Sequence, residues 1–96
     1  MKTSTLEHLA PLLVVLRGYS SLREVQSTVF HLDGRDFIHF HETPDGVVAD
    51  VRLAKGQVRV QASTEAEQAE LLERIDEALA KVEAHVLRGP RYDADA

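Results

Sequence analysis

The chain has 96 residues, 44% hydrophobic and 28% charged, with a formal net charge of −5 and no cysteine. That length makes one domain around one core and leaves no room for a deep catalytic cavity. Without cysteine there is no disulfide or thiolate metal site, and the negative balance argues against a nucleic-acid backbone or an anionic membrane as the main partner.

Leu6, Leu9, Leu13 and Leu16 recur at spacings of three and four, which predicts an N-terminal helix with one apolar face. Thr3, Ser4 and Thr5 are its candidate N-caps. Pro11 cannot donate to the Glu7 carbonyl, so the helix is expected to begin near Pro11 or to bend there, and Gly18 closes it. The apolar run over residues 9–16 is too short to span a bilayer and no small-residue cleavage site follows it. Neither a secretory leader nor a membrane helix is expected, and the chain reads as cytoplasmic.

From Leu22 the period changes to two, and one strand is predicted to continue to Leu32. Asp33 and Gly34 form the strongest hairpin signal, because a type I′ turn needs positive φ at both central positions. That hairpin pairs Phe30 with Phe37 and Thr28 with His39. A second turn around Pro44, Asp45 and Gly46 pairs Glu42 with Val47, and hence His39 with Asp50. A third, at Lys55 and Gly56, sets Val58 beside Leu53 and Val60 beside Val51.

Three hairpins in series make a four-stranded antiparallel meander. Its core face collects Val25, Ser27, Val29, Ile38, Phe40, Val47, Ala49, Val51, Leu53, Val58, Val60 and Ala62. Its other face collects Gln26, Thr28, Phe30, Phe37, His39, His41, Val48, Asp50, Arg52, Arg59 and Gln61. A slip of one residue would turn aliphatic side chains to the polar side.

Thr64 and Glu67 have the spacing of a capping box, and a long helix follows with Leu72, Ile75, Leu79, Val82 and Val86 in its stripe and Leu71 and Ala78 widening it. Gly89 and Pro90 are expected to end it, leaving a flexible tail over 90–96. The expected fold class is α+β: one domain over 1–89, ordered α-β-β-β-β-α, with both helices on one face of the sheet. The opposite face is left uncovered, and function is expected there.

That face holds the one cluster of chemically versatile side chains. His39 and His41, two apart on a strand, lie about 6.6 Å apart at Cα and point the same way, a spacing that suits two imidazoles on one ion. Asp50 about 5 Å across from His39 would complete a set of two histidines and one carboxylate for zinc or another divalent metal. The same residues could act as an acid–base couple, or simply face solvent with Asp50 neutralising a histidine. No serine or cysteine nucleophile motif and no glycine-rich phosphate loop accompanies them. His8, His31 and His85 read as ordinary surface or core-edge residues.

The sequence GRDFIHFH over residues 34–41, followed by Asp45 and Gly46 and then ADVRL over 49–53, resembles a small bacterial and fungal domain family labelled "luciferase domain". The resemblance covers the central third of the chain. It implies that His39 and His41 are the family's paired histidines and Asp50 its following acidic position. Most members of that family have no established activity, so no light-producing chemistry follows.

Together these readings give a small non-enzymatic domain that self-associates, as a homodimer, or binds a protein partner through the uncovered face. The expected contact residues are Thr28, Phe30, Phe37, His39, His41, Val48, Asp50, Arg52 and Gln61. Phe30, Phe37 and Val48 would supply apolar area. The alternative is a metal or small-ligand site, with or without catalysis, at His39, His41 and Asp50; no other cofactor is expected.

Overall fold

A computed structural model describes residues 1–53 and 56–95, with side chains described as far as Val82. The element order is α1 (Thr3–Arg17), β1 (Leu22–Gln26), β2 (Val29–Leu32), β3 (Arg35–Thr43), β4 (Gly46–Leu53), β5 (Gly56–Gln61) and α2 (Glu65–Asp95). The five strands form one antiparallel sheet in the order β1-β2-β3-β4-β5. The fold is α+β, with five strands where the sequence suggests four.

The additional strand comes from a turn at Ser27 and Thr28, which divides the stretch read as one strand into β1 and β2. The turn falls in the short polar run Gln26, Ser27 and Thr28 and carries no glycine, proline, asparagine or aspartate, so the strong turn signals are missing. Gln26 pairs with Val29 across the turn, and Val25, at an irregular step between Glu24 and Gln26, is 44% exposed and not in the core. The Thr28 carbonyl accepts a bond from the Phe40 N–H at 3.0 Å, tying the turn to β3.

Asp33 (φ 55°) and Gly34 (φ 76°) both adopt the left-handed conformation that the type I′ turn requires. The hairpin they close departs from simple alternation. Leu32 pairs with Arg35 and His31 with Asp36, but Phe30 then pairs with Ile38, leaving Phe37 as an extra residue on β3. This bulge reverses the expected placement of both rings: Phe30 is 1% and Phe37 4% exposed, and both belong to the core. Burying a phenylalanine is worth about 1.5–3 kcal/mol, so two rings outweigh one irregular step of the ladder.

The β3–β4 register is the expected one, with Glu42 opposite Val47, Phe40 opposite Ala49 and His39 opposite Asp50. The β4–β5 register differs from expectation by two residues: Val51 faces Val58, Ala49 faces Val60 and Asp50 faces Arg59. Leu53 pairs directly with Gly56, so the connection has two residues; Ala54 and the expected turn residue Lys55 lie outside the described residues. A shift of two leaves every side chain on its expected face and changes only its partner.

One core joins the helices to the sheet. Leu9, Leu12, Leu13 and Leu16 of α1 and Leu71, Ile75 and Leu79 of α2 cluster with Phe30, Phe37, Ile38, Phe40, Val47, Ala49 and Val51. Both helices therefore pack on the face that carries Ile38 and Phe40. α1 starts from Lys2 as N-cap without a side-chain capping bond, not from Thr3, Ser4 or Thr5. Its first turn is held instead by Glu42 of β3, which accepts from the Thr5 hydroxyl and from the Lys2 N–H at 3.3 Å. Pro11 sits inside the helix at an exposed position, where the unpaired Glu7 carbonyl can be met by water. Gly18 ends α1 in right-handed backbone (φ −78°), its N–H donating to the Val15 carbonyl at 3.0 Å, while the Tyr19 N–H donates to the Leu16 carbonyl at 3.2 Å.

The capping box of α2 forms as expected, with the Glu67 N–H on Thr64 Oγ1 and the Thr64 N–H on Glu67 Oε1, each at 3.0 Å. Its buried line is Gln68, Leu71, Ile75 and Leu79, and Leu72 lies at the margin. The Gln68 amide is satisfied by donating to the Ala62 carbonyl at 3.1 Å. α2 continues past Gly89 and Pro90, which were expected to stop it; a helix already propagated this far tolerates the single bond a proline removes. His85, Val86 and the tail expected over 90–96 lie beyond the residues whose side chains are described.

Among the described residues, no helix is long and apolar enough to cross a membrane.

Truncating Phe30 or Phe37 to alanine should cost about 3–5 kcal/mol in urea unfolding, as should Phe40→Ala. A near-neutral Phe37→Ala would return that ring to the solvent side and remove the bulge. Gly46→Ala should cost about 1–3 kcal/mol. Its φ is 133°, and an added Cβ would meet the Ser63 hydroxyl that accepts from the Val47 N–H.

Candidate functional site

The uncovered face of the sheet is set by the β3–β4 register. Ile38 and Phe40 point to the helices, so His39 and His41 point away, and Val48 and Asp50 of β4 join them. Val48 is 4% exposed yet outside the core cluster, flanked in register by His41 and Gln61. The half-buried Val29, expected on the core face, also lies on this side, because it pairs with His39.

Asp50 is the hub. Arg59 Nε donates to Asp50 Oδ1 at 2.8 Å and Arg59 Nη2 to Oδ2 at 3.0 Å, a bidentate pair across β4 and β5. His41 Nε2 lies 2.9 Å from Asp50 Oδ2. The Asp50 carboxylate is mostly covered, with 12% of its side chain accessible. Its pKa is lowered, first by the Arg59 hydrogen bonds, against a burial effect that pushes the other way, with smaller help from the charges of Arg59 and His41. His39 stands beside His41 with ring centroids 4.0 Å apart and planes tilted by 45°.

The expected contact residues divide into three groups. His39, His41, Val48 and Asp50 come together on the open face, with Arg52 and Gln61 exposed around them. Thr28 lies in the β1–β2 turn, bonded through its carbonyl to β3. Phe30 and Phe37 are in the core, so the expected apolar patch of phenylalanines is absent from this face. Arg59 is the functional residue that sequence reasoning missed. The two-residue error in the β4–β5 register set Gln61, and not Arg59, opposite Asp50. Gly56 carried the signal: it stands to its turn as Gly46 does to Pro44 and Asp45, each pairing with the residue just before a two-residue connection.

This arrangement bears directly on the metal reading. Both oxygens of Asp50 already accept from a guanidinium, and one also meets His41. A cation entering here would have to displace Arg59, whose charge repels it. Among the described residues, no three histidine or acidic side chains are grouped so as to hold a metal ion. The hollow beside His39 and Asp50, lined also by Asp36, Phe37, Arg52 and Gln57, is only about 120 Å³, well below the roughly 300 Å³ at which ligand pockets begin. His31, read as an ordinary residue near a strand end, pairs across β2 and β3 with Asp36 at 2.7 Å.

No family model matches the chain, and no curated protein or solved structure matches it.

The lowered pKa of Asp50 fixes the sign of a pH effect. A carboxylate held below its unfolded value stabilises the fold above that unfolded value, about 3.9, and the contribution is lost as pH falls through the folded value. Asp50→Asn should therefore be less stable than wild type at pH 7, with the gap closing below about pH 4. Urea midpoints at pH 7 and pH 3 measure this, and an unchanged gap would mean that the Arg59 pair adds nothing to folding.

Proposed function

We propose that this domain is a non-enzymatic binding module that works through the uncovered face of its sheet, with a second copy of the chain as the partner that face suits best. The observation that carries the reading is the fixed lattice of Arg59, Asp50 and His41 around the buried Val48. A flat, pre-ordered polar surface is built to meet another surface, and no hollow of substrate size lies beside the histidines. The face carries both signs of charge, with Arg52 and His39 exposed beside the Asp50 hub, which is what a twofold, self-matching contact requires. With both phenylalanines in the core, such a contact is mostly polar and belongs to the weaker, reversible class.

The net charge of −5 supports a protein partner over nucleic acid or membrane, and the lack of cysteine suits a cytoplasmic setting. A role without catalysis is supported by the engagement of Asp50, whose two oxygens are already taken by Arg59 and His41. The likeness to the "luciferase domain" family rests on the 34–41 and 49–53 motifs and is consistent with this reading, since His39, His41 and Asp50 do share one face.

Sedimentation equilibrium tests the self-association. Wild type should show a reversible dimer at neutral pH, and Arg59→Glu, which sets two acids opposite each other, should be monomeric while keeping its circular dichroism spectrum. A wild type that stays monomeric at high concentration overturns the homodimer. Phe37→Asp is no test of the surface, because it places a charge in the core and should unfold the domain. Zinc should leave the melting temperature unchanged; a rise that His41→Ala abolishes would shift the reading to a metal site.

A further inference from the structure

At the end of the sheet formed by the last residues of β2 and β4 and the first of β3, a groove of about 480 Å³ opens against α2. Its apolar lining comes from Leu32, Phe37, Leu53, Ala78 and Val82. Its rim carries three cations, Arg52, Arg74 and Lys81, against the single acid Glu77. In a chain of net charge −5, this is a local reversal of sign.

The rim cations are weakly committed. Arg74 reaches Glu70 at 3.6 Å and Lys81 reaches Glu77 at 3.8 Å, both exposed pairs one helical turn apart, of a kind that stabilises little and exchanges freely. Arg52 makes no ion pair among the described residues. A guanidinium at the mouth of an apolar groove is the arrangement that recognises a carboxylate in two-pronged fashion while the rest of the ligand leaves water. The volume lies within the roughly 300–1,000 Å³ of small-molecule sites. A second copy of the chain would bring the same three cations to the same rim, and like charges in contact disfavour that occupant.

We propose that this groove binds a small amphipathic monocarboxylate, its hydrocarbon body lying on Phe37 and Leu53 and its carboxylate on Arg52. The groove shares Arg52 with the open face but none of Arg59, Asp50 and His41, and octanoate binding is read independently of self-association.

The test uses the full chain, labelled with ¹⁵N and titrated with octanoate, with 1-octanol as the uncharged comparison. Octanoate should bind saturably, with amide shifts centred on Arg52, Leu53 and Ala78, and at least tenfold more tightly than octanol. Arg52→Glu, at an exposed position, should weaken octanoate at least tenfold and leave octanol unchanged. Ala78→Phe should fill the groove and abolish both. The shift map of the wild type stands even if Ala78→Phe fails to fold. Shifts centred elsewhere, no saturation, or octanol binding as tightly as octanoate would each overturn the proposal. So would a wild-type dimer that a folded Ala78→Phe disperses, because it would assign the groove to a second copy.

Discussion

Phe37 occupies a step of β3 that has no partner on β2, and the rest of the molecule is arranged around that one irregularity. Without it, Phe30 would face Phe37 and both rings would lie on the side away from the helices. With it, Phe30 faces Ile38, both rings enter the core, and the core gains two of the chain's three phenylalanines. In a domain this small, aliphatic side chains alone give a thin core, so aromatic burial decides the local register. The same bulge gives the opposite face its chemistry. Once the phenylalanines leave it, that face keeps only Val48 and the half-buried Val29, opposite His39, as apolar residues, and the histidines and Asp50 are organised by charge and hydrogen bonding.

The two ends of the sheet differ in how they are held. At the β3–β4 turn, both helix starts are tied to the hairpin. Glu42 takes the first turn of α1, Ser63 bonds the Val47 N–H at 2.8 Å just before α2 begins, and His8 of α1 contacts the Ser63 carbonyl. Gly46 is required there because Ser63 approaches where a Cβ would stand. At the other end, Leu32, Phe37 and Leu53 line a groove that remains beside α2. One end fixes the layers and the other leaves space, which is why the groove lies where it does.

Much of this was legible in the sequence, and what was not has a common cause. The type I′ turn, the β3–β4 register and the capping box of α2 were readable because glycine at positive φ and the Thr64–Glu67 pair leave signatures at fixed positions. The Ser27–Thr28 turn carries no glycine or asparagine, and its polar run is too short to stand out from a strand with one solvent-facing side. The bulge at Phe37 is a tertiary choice, made by how much area two rings bury, and local pattern does not encode it. The β4–β5 offset of two residues preserves every face, so hydrophobic periodicity is blind to it. The bulge took the two phenylalanines out of the expected site, and the offset decided whether Asp50 meets Gln61 or Arg59.

The partner of Asp50 in turn decides what the open face can hold. With Gln61 opposite, an uncompensated carboxylate beside two imidazoles would invite a cation. With Arg59 opposite, the carboxylate is already neutralised and both its oxygens are occupied, which leaves no free charge for a cation. Arg52 extends this character around the edge of the sheet, since it borders both the small hollow beside His39 and the larger groove under α2. The acidic residues of the chain lie mostly elsewhere, many along α2. An acidic protein thus carries, around Arg52, two neighbouring surfaces on which cationic side chains stand close together: the open face, where Arg59 is bound to Asp50, and the groove under α2, with Arg74 and Lys81.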